Sequence, residues 1–174
     1  MNEVLKAMEE RRSIRSFKPD MPDRETIRSI VRAGLYAPSG MNRQDTVILC
    51  VTSPEMRRRF AETNREIGGW ADGFDPFYGA PVIFAVLAKA TDPTALCDGS
   101  LVLSNLLLAA HATGLGGIWI HRAKETFERP EFRSLLKDLG IDGDWIGVGH
   151  CAVGYPSGSI PSAPVRKEGR FYEI

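Results

Sequence analysis

Guanidinium groups gathered at one point of a chain invite an anion, and this sequence gathers them most densely near its N-terminus. Arg11, Arg12 and Arg15 flank Ser13 in the run Arg11-Arg12-Ser13-Ile14-Arg15. Guanidinium forks grip phosphate oxygens bidentately and a serine hydroxyl adds a short donor, so the chemistry open to this segment is phosphate binding. The same arginines would also suit a solvated helix end, where they complement the dipole; spacing alone does not choose. Arg166-Lys167 is a second basic pair, a surface pair or a ligand site, in a proline-bearing stretch. Asn42 and Gln44 stand in a loop as turn residues or as amides able to bond the polar edge of a ring. Other signatures are missing. There is no G-x-S-x-G and no Walker A run, and His111, His121 and His150 lack metal-ligand spacing, so no metal is expected. Gly147-Val148-Gly149 has no third glycine at the dinucleotide offset and reads as a close approach of backbones.

The elements that must position these residues follow from caps and periodicity. Asn2 caps a first helix with Val4, Leu5 and Met8 on one face, ending in the arginines. Pro19 and Pro22 keep Ser13 to Pro22 extended. Asp23 caps a second helix to about Tyr36, with Ile27, Ile30, Val31 and Leu35 at helical spacing. Pro38 to Asn42 is loop, and Thr46 to Val51 reads as a buried strand. Ser53-Pro54-Glu55 starts a helix to about Ile67. Gly68 to Gly79, with Trp70, Phe74, Phe77 and Tyr78, reads as a mobile aromatic loop and a candidate lid. Val82 to Ala88 is a second buried strand. Thr94 to Gly114 is the longest helix, apolar on several sides and therefore central or in a subunit interface. Gly114-Leu115-Gly116-Gly117 would end it and lead tightly into a strand to Ile120. A helix over Pro130 to Leu139, a strand over Trp145 to Val153 and a strand-like end at Phe171 to Ile174 complete the chain. Helices alternate with strands, which predicts one α/β or α+β domain over residues 1–174 with a sheet covered by helices.

Composition excludes several classes. Lys and Arg number 22 against 22 Asp and Glu, so bulk charge favours neither nucleic acid nor an anionic membrane. Three scattered cysteines, Cys50, Cys97 and Cys151, suit a reducing compartment, with Cys50 and Cys151 acting as small hydrophobes in apolar runs. The first twelve residues carry no apolar stretch, and no window approaches the roughly 20 apolar residues of a membrane span. A soluble cytoplasmic protein is expected.

In order along the chain, Arg11 to Phe17, Ala37-Pro38-Ser39-Gly40-Met41-Asn42-Arg43-Gln44, Gly79-Ala80-Pro81, Leu107 to Ile120, and Gly154-Tyr155-Pro156 followed by Arg166-Lys167 resemble the nitroreductase family of FMN-dependent oxidoreductases. The resemblance implies a mixed, mainly antiparallel sheet flanked by helices, and a homodimer with FMN at its interface and the C-terminal strand exchanged. It implies Arg11 and Ser13 on the FMN phosphate with Arg12 beside them, and Arg15 on the ribityl chain and the N1/O2 edge. Pro38, Ser39, Gly40, Met41, Asn42 and Gln44 would line the ring, partly from the partner subunit. Arg166, with Lys167, would return to the phosphate. Gly116 and Gly117 would belong to the site, and Ile120-His121-Arg122 would pass the N5/O4 edge. This chain departs from the pattern in Asp45-Thr46 after Gln44, in His121 and Arg122 where small residues are usual, and in its short length. Either of those two side chains could donate a proton, bind an anionic substrate or point away.

The implied reaction is ping-pong: hydride from NADH or NADPH through flavin N5 to a nitroaromatic, quinone or free flavin. The flavin carries the chemistry and no acid–base residue is required. Two alternatives keep the flavin: reductive dehalogenation or flavin breakdown on the same fold, or a non-catalytic dimeric module that senses redox state.

Overall fold

A computed structural model describes residues 2–174. Its elements are α1 (Glu3–Glu10), α2 (Arg24–Leu35), β1 (Thr46–Val51), α3 (Pro54–Gly68), β2 (Val82–Lys89), α4 (Ala95–Ala112), β3 (Gly116–Ile120), α5 (Ala123–Glu128), α6 (Pro130–Asp138) and β4 (Trp145–Gly154). The helix starts are set by side-chain caps. Asn2 accepts from the Val4 N–H and Asp23 from the Thr26 N–H, each at 2.8 Å. Ser53 caps α3 with Pro54 in its first turn, and Gly69 ends α3 at φ 65°. Sequence reading missed α5. It has six residues and no side-chain cap, too few turns to show a period before Pro130 opens α6.

The four strands are antiparallel in the order β1-β2-β4-β3. The mixed character expected of the sheet is confined to a single parallel bridge, Ser13 to Gly117. Central β2 is buried on both faces from Val82 to Ala88, and its alternation divides the core in two. Ile83, Ala85 and Leu87 face Phe60, Phe127 and Phe132 of α3, α5 and α6. Val82, Phe84, Val86 and Ala88 face Ile30 of α2 and Leu103 and Leu106 of α4. Ile14, Phe17, Phe77 and Ala80 join the first of these clusters, so the N-terminal arginine segment and the loop before β2 share one face of the sheet.

Three expectations need correcting. Strand β1 is half-buried rather than buried, because it is an edge strand with no segment paired on its outer side among the described residues, as Ser13 is on β3, and Cys50 on it is exposed. Helix α4, with a mean hydropathy of 1.4, is long and apolar enough by length and composition to cross a membrane. Here it lies against the sheet, with Val102, Leu103, Leu106 and Ala110 buried. Phe171 to Ile174 form no strand within the chain, and residues 157–174 are exposed throughout.

Candidate functional site

Helix α1 delivers Arg11 as its C-cap, after which the chain runs along the start of β3. The Ile14 N–H donates to the Gly117 carbonyl at 3.2 Å. Beyond it, the Lys18 N–H donates to Tyr155 and the Ser157 N–H to Ser16, both at 2.9 Å. Residues 13–18 are thus held between β3 and the end of β4. Gly116 permits the approach: a Cβ there would run into the Ile14 side chain.

The arginines in this cradle are short of partners. Arg12 donates from Nη1 to the carbonyls of Glu9 and Arg11, at 2.7 and 2.6 Å. Arg11 Nη1 and Arg12 Nε are buried with no hydrogen bond. None of the ion pairs among the described residues includes Arg11, Arg12 or Arg15. Below them, burial pushes the Cys151 thiol up to about 12, opposed by Arg11. Buried guanidinium donors without acceptors are costly unless an anion completes them. Arg11, Arg12 and Ser13 are half-buried, and Arg15 is exposed.

The loop Pro38–Gln44 is built under backbone strain. Met41, Asn42 and Gln44 have φ of 52°, 55° and 58°, the left-handed region that side chains disfavour. Asp98, 4% exposed in the first turn of α4, holds the loop: both carboxylate oxygens accept from the Gly40 N–H at 3.1 Å. The Thr94 hydroxyl shares its one proton between Asp92 at 3.0 Å and Asp98 at 3.1 Å, and Arg43 pairs with Asp92 at 3.4 Å. Asp92 is held below the usual carboxylate range, first by the Thr94 N–H. Only glycine fits at position 40, where a Cβ would strike the Thr94 hydroxyl. Sequence reading missed Asp98, Thr94 and Asp92. The available signal was an aspartate inside an otherwise apolar helix.

At the far end of β3, Ile120 is buried and His121 exposed. Arg122 lies with its guanidinium carbon 4.2 Å from the Trp70 ring centroid. The loop carrying Trp70 is braced rather than loose. Asp75 accepts from the Phe77 and Gly79 N–H groups and pairs with Arg57, which also bonds the Ala80 carbonyl.

The structure brings Arg11, Arg12 and Ser13 together with Gly116 and Gly117. It does not bring Pro38–Gln44 to them. Gly40 is tied to Asp98, whereas Gly117 lies beside Ala110, twelve residues and roughly 18 Å further along α4. Arg166 and Lys167 sit on the exposed tail without a hydrogen bond or ion pair among the described residues. A concavity of about 460 Å³ lies elsewhere, between Lys124, Phe127, Arg133, Lys137 and Trp145. Pro38, Ser39 and Gln44 line a concavity of about 180 Å³ with Asp98 and Val102, and neither the arginines nor Ser13 shares its lining.

The sequence model of the Nitroreductase family matches residues 8–155. The chain belongs to this family. Among its relatives, an Archaeoglobus fulgidus protein carrying the provisional name NADH dehydrogenase/NAD(P)H nitroreductase is 28% identical over 182 residues, 99% of this chain and 91% of its own. Of solved family structures, an FMN-bound nitroreductase from Bacteroides fragilis is 26% identical with a TM-score of 0.88, both chains covered completely. An FMN-bound nitroreductase from Desulfitobacterium hafniense is 27% identical, also at 0.88, over 100% of this chain and 99% of its own. Nitroreductase architecture therefore extends through the tail that follows the matched segment.

Proposed function

We propose that this chain is an FMN-dependent oxidoreductase, a single domain acting as a homodimer, that draws hydride from NADH or NADPH and passes it to a small acceptor such as a nitroaromatic, a quinone or free flavin. The observation that carries the reading is the cradle of Arg11, Arg12 and Ser13 against Gly116 and Gly117, in which Arg11 Nη1 and Arg12 Nε are buried without a protein acceptor. A phosphate monoester fits that donor set in charge and geometry. Bound FMN would supply two-electron hydride chemistry at its ring.

The residues would divide the work of holding and orienting it. Arg11 and Ser13 grip the phosphate with Arg12 beside them, and exposed Arg15 is free to reach the ring's N1/O2 edge. The Ile120-His121-Arg122 backbone passes the opposite polar edge. Pro38, Ser39, Gly40, Met41, Asn42 and Gln44 come from the partner subunit, which accounts for their separation from the cradle along α4. Arg166 and Lys167 reach the phosphate when the tail wraps its partner. Val4, Leu5 and Met8 of α1 and Leu101 of α4 are exposed apolar residues that a dimer would cover. Strand β1 has no neighbour on its outer side among the described residues, which leaves a place for the partner's tail. Cys50, Cys97 and Cys151 are free, which suits the cytoplasm.

The purified protein should be yellow, run as a dimer on gel filtration, and lose its flavin colour with NADH or NADPH without oxygen. Arg11→Ala should weaken FMN binding by about 2–3 kcal/mol. Colourless protein unable to take up FMN would overturn the reading; unchanged affinity in the variant would refute the phosphate assignment.

A further inference from the structure

Arg122 is a cation without an ion-pair partner among the described residues. Its guanidinium lies 4.2 Å over the Trp70 ring. Trp70 in turn packs on Phe74 with centroids 5.0 Å apart, and Phe74 on Tyr78 at 6.2 Å. Nε is buried without a partner, and neither an ion pair nor a hydrogen bond to a protein acceptor is formed among the described residues. The titratable groups facing it are Tyr78, Glu125 and His150. His150 is fully buried and neutral and offers no negative charge, since burial, reinforced by Arg122 itself, lowers it to about 3. Glu125 carries the opposite charge but does not pair. Burial also lowers the affinity of the guanidinium for its own proton, opposed by Tyr78 and Glu125.

An aromatic face compensates a guanidinium only in part, and stacking leaves the fork free for in-plane donors. Arg122 is half-buried, so its terminal nitrogens remain open to a ligand. It directly follows Ile120-His121, the stretch assigned above to the polar edge of the flavin. The Trp70 N–H donates to the Arg65 carbonyl at 3.2 Å and Arg65 Nη1 donates to the Trp70 carbonyl at 3.3 Å, so the ring under the cation is positioned before any ligand arrives.

We propose that Arg122, seated on Trp70, selects the acceptor by receiving the oxyanion of an anionic aromatic substrate, a carboxylate foremost, with the Tyr78 hydroxyl as a neighbouring donor. This rests on the flavin reading for its place beside the reacting ring, but anion binding by Arg122 is separable from it. If Arg122 merely covers Trp70, its loss changes stability without regard to ligand charge.

The test compares wild type, Arg122→Gln and Arg122→Lys, each purified with FMN supplied. Calorimetry gives the Kd of benzoate against benzyl alcohol. Steady-state assays give the ratio of KM for 4-nitrobenzoate to KM for 4-nitrobenzyl alcohol. Arg122→Gln should raise the benzoate Kd and the KM ratio at least tenfold, the scale of a charge-assisted contact. Arg122→Lys, which keeps the charge without the fork, should fall between. Equal changes for both members of each pair, or an unchanged benzoate Kd in Arg122→Gln, would overturn the proposal. Should Arg122→Gln not fold, an unchanged benzoate Kd and KM ratio in Arg122→Lys overturn it, and a rise in both supports it. Protein that binds benzoate through Arg122 yet takes up no FMN would sink the flavin reading alone; turnover without preference for the anion would sink this one alone.

Discussion

Deep in the first core cluster, on β4, His150 packs edge-on to Phe60 and Phe77, with ring centroids 5.8 and 5.4 Å away. Neither ring nitrogen has a partner. Folded protein therefore keeps this imidazole neutral down to about pH 3, whereas an unfolded chain protonates it near its ordinary value of 6.5. Between those limits the unfolded state holds the extra proton, so stability falls as pH drops from about 6.5 towards 3, by up to roughly 1.4 kcal/mol per unit. Urea unfolding at pH 7.5 and 5 should show this loss in wild type and a smaller one in His150→Leu. An equal loss in both would place the acid sensitivity elsewhere. His150 is in the sequence for anyone to see, but its setting is not. The aromatic rings around it come from α3 and the loop before β2, far away along the chain. The arginine cradle was more legible, because its members are adjacent and local crowding of like charge is visible without a fold.

Among the elements, the Pro38–Gln44 loop shows how a strained turn is kept. Three left-handed residues persist because Asp98 anchors Gly40 from α4. Asp98→Ala would leave the Gly40 N–H without its acceptor and free the loop to relax. We expect a loss of about 1–3 kcal/mol in unfolding free energy. Weaker FMN uptake should accompany it if the loop lines the flavin; full uptake in a destabilised variant would separate the loop from the site. The caps at Asn2, Asp23 and Ser53 were readable, since each acts within three residues. The Asp98–Gly40 bond spans 58 residues, and no local pattern announces it. Helix α5 was unreadable for another reason: its Ala123 and Phe127 face the core as helix residues should, but six residues hold too little of a period.

For the molecule as a whole, alternation of helix and strand was enough to expect a sheet covered by helices. The order β1-β2-β4-β3 was not accessible, because antiparallel neighbours are chosen by packing of β2 and β4 at the centre rather than by any one turn. The tail reads as strand from its residue types, but within one chain Phe171 to Ile174 pair with nothing, because strand-like residues make a strand only where a free sheet edge lies beside them. Helix α4 also carries a genetic consequence. It ties the strained loop to its N-terminal end, while the arginine cradle lies near its C-terminal end. In a two-fold dimer each flavin would then draw its phosphate grip from one chain and its ring wall from the other. A chain bearing Arg11→Ala and a chain bearing Asp98→Ala, each defective alone, should therefore rescue one another when made in the same cell. In a mixed pair one pocket collects both lesions and the other none, so half of the pockets in such pairs should load flavin normally. Loss of uptake in the co-expressed pair as complete as in either parent would mean that each pocket is built from a single chain.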